Sequence, residues 1–167
     1  MKQVLIVTVA LGVACAASSA ARGLEAAIAQ DIESASAVFF SDGEPSSRAA
    51  AQKALADLVE SASQISVDAN LPAPAQERLA VAAASFAGGG FLEREAVATV
   101  HRAYEAVNGG QAFTFPQDVG SIEEAKEHGR RQIRKALEAL DAERPREAVQ
   151  KVLGFVLLVT TPMEKPK

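Results

Sequence analysis

His101 and His128 are the two imidazoles in the chain, and each has a carboxylate one helical turn away. Glu105 follows His101 by four residues, and Glu124 precedes His128 by four. Side chains four apart share a helix face, so two antiparallel helices could bring two imidazoles and two carboxylates to one metal ion. A structural reading opposes this one. Ser121 and Glu124 have the spacing of a capping box, which commits that carboxylate to the backbone N–H groups of a helix start. His128 stands in a heavily charged surface stretch, and neither histidine has the Glu-x-x-His spacing of di-iron helical bundles. Ligand types without ligand spacing favour solvated side chains over a metal centre.

Other chemistries fail for want of a residue. Cys15 is the single cysteine, whereas covalent haem attachment needs two thiols in C-x-x-C-H. No serine occupies a G-x-S-x-G elbow. Gly88, Gly89 and Gly90 have the composition of a phosphate cradle, but no strand precedes them and no lysine follows where a P-loop requires one. Glu93 and Glu95 just beyond would repel a phosphate from the next helix N-terminus. A hinge or tight turn is the simpler role. The sequence therefore offers no catalytic residue, no cofactor site and no metal set.

The most distinctive surface is the run from Lys126 to Lys135, which holds Arg130, Arg131, Arg134 and Lys135 among Glu127 and Glu138. A pair such as Glu127 with Arg131 supports a helix by a few tenths of a kcal/mol, as any solvated face does. The functional alternative is a basic strip facing an acidic partner or anionic lipid.

The leader sets the destination. Lys2, the apolar stretch Val4 to Val13 and the small residues Ala14 to Ala21 follow the three-part pattern of a secretory signal. Residues 1–21 are read as that signal, with Cys15 placed where a bacterial lipoprotein would be lipidated. Gly12, three positions before Cys15, departs from the large aliphatic residue usual there. If the segment is removed, no thiol remains, and packing alone must hold the fold in an oxidising compartment. Of 17 basic and 21 acidic residues, only Lys2 lies in the first 20. The rest carries 16 against 21, a net charge of −5. A mildly acidic chain without a basic tract argues against nucleic acid as a partner.

The remaining length suffices for one domain with a sizeable core. Alanine is abundant and tryptophan absent, a composition suited to closely packed helices. Hydrophobic periodicity predicts helices over 24–40, from Ser46 or Ser47 to Val67, and over 75–87, 91–107 and 122–142. Pro45, Asn70 to Pro74, the glycines at 88–90 and Asn108-Gly109-Gly110 separate them. Phe113 and Phe115, in the irregular stretch 111–120, point the same way from extended chain and are expected to pin it to the bundle. Val149 to Val159 is the most apolar stretch after the leader. At about a dozen residues it is too short to span a bilayer, which takes roughly 20, and Pro145 suits a helix first turn. Arg146 to Thr160 is thus read as a buried core helix.

The expected architecture is a single all-α bundle of five to six helices over 22–161, followed by a frayed tail, 162–167. The expected role is non-enzymatic: an exported protein, periplasmic or held at the envelope, that binds a protein partner through an exposed apolar patch. The alternative is a carrier of a small apolar ligand in a closed cavity between helices; a metal site at His101/Glu105 and Glu124/His128 is a weaker one.

Overall fold

The computed structural model describes Gln30 and residues 48–88 and 93–161. The expected leader, most of the helix expected over 24–40 and the tail lie outside these residues. Among the described residues there are five helices and no strand: α1 (Arg48–Asp68), α2 (Ala73–Ala87), α3 (Arg94–Val107), α4 (Ile122–Asp141) and α5 (Pro145–Thr160). None is long and apolar enough to cross a membrane.

The core is built around α5. Pro145 sits in its first turn, where a missing N–H leaves no hydrogen bond unmade. Ala148, Val149 and every residue from Val152 to Leu158 are buried. A helix apolar on all sides needs neighbours on several sides, and α1, α3 and α4 all pack on it. Helices α1, α2 and α3 pack in sequential pairs, so α2 lies against α1 and α3 while α5 lies against the same two. Leu55, Leu58 and Val59 of α1, Leu79 and Phe86 of α2, and Val100 of α3 meet Leu153, Phe155 and Leu157 in one cluster.

Each helix stripe follows from its spacing, with two departures. On α1 the spacing puts Ser61 and Ser66 on the wet face with Glu60, but both serines are buried. Ser66 is accommodated because its hydroxyl donates to the Ser63 carbonyl at 2.6 Å, a local bond that removes the cost of burying a donor. On α3 the inward residues are Ala96, Val100, Ala103 and Val107, while Val97 and Tyr104 sit half-buried at the rim. Both still pack against the core, so the inward stripe that the spacing puts on Val97, Val100, Tyr104 and Val107 is rotated towards Ala96 and Ala103.

Polar contacts fix the α3–α5 junction. Arg146 Nε donates to the Val107 carbonyl at 2.8 Å, and Gln150 Nε2 donates to Asn108 Oδ1 at 2.6 Å. The first satisfies a carbonyl that the end of α3 would leave without an intrahelical donor. Gly109 and Gly110 follow with φ of 68° and 89°, the left-handed conformation expected after a helix end.

Candidate functional site

The capping box forms as its spacing predicts. Glu124 N donates to Ser121 Oγ at 3.2 Å, while Glu124 Oε2 accepts from Gly120 N at 2.8 Å and from Ser121 Oγ at 3.1 Å. The Gly120 bond first, and then the Ser121 hydroxyl, hold the Glu124 carboxyl below its ordinary value. This carboxylate is occupied at the start of α4 and is not free to bind a metal.

His128, one turn further along α4, is half-buried. Arg131 Nη2 stands 3.3 Å from its Nδ1, and the Gln132 carboxamide faces its Nε2 at 3.1 Å. The guanidinium and the Gln132 amide nitrogen are both donors, so a neutral ring accepts from only one of them, at whichever nitrogen lacks the proton. Burial lowers the His128 pKa most, the Arg131, Lys135 and Lys151 charges lower it further, and Asp118 opposes them. The result is a neutral ring amid cations.

His101 lies on α3 with its ring 6.1 Å from that of Phe113, which also meets Tyr104 edge-on at 5.6 Å. Phe113 thus pins the 111–120 loop to α3 as expected; Phe115 is half-buried. The four residues of the conjectured metal site do not converge. Helices α3 and α4 each lie against α5 rather than against one another, and no three His, Cys, Asp or Glu side chains among the described residues could hold a metal ion. The physical reason is that α5, being apolar all round, claims both neighbours.

The basic strip pairs differently from its i,i+4 spacing. Glu127 meets Arg130 at 3.8 Å, and Arg131 turns instead to Asp118 of the preceding loop at 4.0 Å. Lys126 meets Glu123 at 3.3 Å. Beyond them Arg134 and Lys135 are exposed and make no ion pair among the described residues. Lys151 of α5 lies close enough to act electrostatically on His128. Arg131, Lys135 and Lys151 thus form a local basic cluster around His128 at the α4/α5 seam, on a helix α4 whose five basic residues are matched by five acidic ones.

An exposed apolar patch, by contrast, has no counterpart among the described residues: the large apolar side chains they leave exposed are Val67 and Val81. Sequence reasoning also missed a groove along the α2/α3 seam. One cavity of about 300 Å³ is lined by Pro74, Glu77, Arg78, Val81, Thr99 and Arg102. A second, of about 460 Å³, shares Thr99 and Arg102 and adds Ser85, Glu93 and Glu95. Both are half-open surface grooves. The available signal was Val81, an apolar residue four positions from Glu77 on the polar side of α2.

Comparison with known protein families, with curated proteins and with solved structures finds no match to this chain. Any functional reading therefore rests on the residues themselves.

Proposed function

We propose that this chain is an exported, non-catalytic binding protein that engages an acidic segment of a partner protein through the basic cluster at the α4/α5 seam. The supporting observation is that Arg134 and Lys135 stand exposed without ion pairs among the described residues, beside Arg131 and Lys151. Clustered charge of one sign, on a chain of the opposite net sign, steers complementary partners and fixes their orientation. An acidic protein fits better than a lipid surface. Membrane-surface helices need a free apolar face to insert, and Ile133, Ala136, Ala139 and Leu140 of α4 are buried in the bundle. Export rests on the leader pattern of residues 1–21.

Fluorescence anisotropy with the full chain and a labelled glutamate-rich peptide tests the binding. The expected result is salt-sensitive binding that the double substitution Arg134→Glu and Lys135→Glu weakens by about tenfold or more, as loss of charge complementarity predicts. Equal binding by the variant refutes the reading. Tighter binding to phosphatidylglycerol vesicles than to the peptide would reassign the cluster to membranes. Intact mass measurement on protein from its own host tests export separately, and a retained leader would count against it.

A further inference from the structure

The α2/α3 groove lies on different helices from the basic cluster, and its chemistry has a direction. At one end two guanidiniums, Arg78 and Arg102, line the smaller cavity with a single carboxylate, Glu77. At the other end two carboxylates, Glu93 and Glu95, line the larger cavity, with Arg102 at the junction. None of these five side chains makes an ion pair among the described residues. Glu95 in the first turn also complements the α3 dipole, an effect that needs no groove and leaves the two arginines unexplained.

Between the charged ends lie an apolar wall and two acceptors. Val81 is 56% exposed beside Pro74. Ser85 Oγ donates to the Val81 carbonyl at 2.9 Å, and Thr99 Oγ1 donates to the Ala96 carbonyl at 2.6 Å. Both hydroxyl protons are thereby committed to their own helices, which leaves the oxygens to accept N–H groups from a ligand. Glu95, Thr99 and Arg102 recur at helical spacing along one face. The seven steps from Glu95 to Arg102 cover about 10.5 Å of helix, and an extended peptide of three residues covers about 10 Å.

We propose that the α2/α3 groove binds a short zwitterionic peptide of about three residues, its carboxylate at Arg78 and Arg102 and its terminal ammonium at Glu93 and Glu95. An apolar side chain of the peptide rests on Val81, and its amides donate to Ser85 and Thr99. Free alanine can reach Arg102 from the acidic end, because Arg102 lines both cavities, but it offers fewer contacts than trialanine.

An NMR titration of the full chain with trialanine, its N-acetyl form, its C-terminal amide and free alanine tests this. Trialanine is expected to shift the amide signals of α2 and α3. Acetylation or amidation should each weaken binding about threefold to fivefold, the scale of an exposed charge contact. Arg102→Gln should reduce the discrimination against the amide, and Glu95→Gln that against the acetyl form. Both substitutions are at exposed positions, so the fold persists and its spectrum serves as the control. Equal shifts from all four ligands, shifts confined to other helices, or no shifts at about 10 mM ligand, a concentration near the weak end of specific affinity, would overturn the proposal. The glutamate-rich peptide test at α4 is unaffected by any of these outcomes.

Discussion

Gly154 stands in the middle of α5, buried where α3 and α4 both come near, and its replacement by alanine is a decisive test of how closely these helices approach. A glycine in a helix interior costs about 1 kcal/mol relative to alanine. Whether that amount can be recovered depends on the space beside it. A Cβ built at Gly154 stands 3.9 Å from Gln132 Oε1 and 3.9 Å from Tyr104 Cε2, which is ordinary contact. The methyl therefore fills space without displacing either neighbour, and burying it adds something under about 0.8 kcal/mol. Gly154→Ala should stabilise the protein by about 1 to 1.5 kcal/mol. With a urea m-value of about 2 kcal/mol/M, the unfolding midpoint rises by about 0.5 to 0.75 M while m stays constant. Gly154→Leu carries further carbons into Gln132 and Tyr104 and should cost about 1 to 3 kcal/mol, as overpacking does. A lowered midpoint for the alanine variant would refute the reasoning, because it would mean that the helices meet at Gly154 more tightly than ordinary contact.

Three other outcomes follow from local geometry. Ser121→Ala removes the acceptor of Glu124 N and should cost about 1 kcal/mol by urea unfolding; the Glu124 carboxyl, read by NMR, should then titrate closer to its ordinary value. His128 is held below its ordinary value of 6.5, so the unfolded chain takes up a proton before the folded one does. Stability should fall as pH drops below 6.5 towards the lowered folded value and should show no contribution from this ring above that window; His128→Gln should flatten this part of the stability–pH profile, and an unchanged profile would show that the ring is not responsible. Glu143 adopts φ of 55° just past α4, a conformation costing a non-glycine residue about 1 to 2 kcal/mol, so Glu143→Gly should raise stability by about 0.5 to 1 kcal/mol after the added freedom of the unfolded chain is subtracted.

Much of the fold could be read from residue spacing because its signals were strong and local. The apolar run in α5 suits a buried strand as well as a helix by its periodicity, and Pro145 at its start with no other strand to pair with decides for the helix, while Ser121 with Glu124 marks the start of α4 to the residue. The departures lie where spacing alone does not set which residues turn inward. The inward side of α3 that the spacing puts on Val97, Val100, Tyr104 and Val107 is centred instead on Ala96, Val100, Ala103 and Val107, with Val97 and Tyr104 half-buried at its edge. The polar hydroxyl of Ser66 points to a wet position, and only its bond to the Ser63 carbonyl of its own helix lets it be buried. The site was less legible than the fold. Glu127 and Arg131 have the right spacing to pair, but spacing within α4 cannot reveal that Asp118 approaches Arg131 from a loop. The α2/α3 groove depends on which residues of two antiparallel helices come level, and Arg78 and Arg102 carry no local mark of that.

Because α5 is the surface on which α1, α3 and α4 meet, and its residues follow theirs in the polypeptide, synthesis runs ahead of assembly. Until residues 145–160 emerge from the ribosome, the inward faces of α1, α3 and α4 lack the rod they share, and α1 and α3 reach it across long separations in sequence, while α4 adjoins it directly. Such a nascent chain stays pliable, since closure of distant contacts limits folding speed, and its greasy surfaces remain open to capture by chaperones. Released chains truncated before residue 145 should accordingly be degraded by protease far faster than the full-length chain.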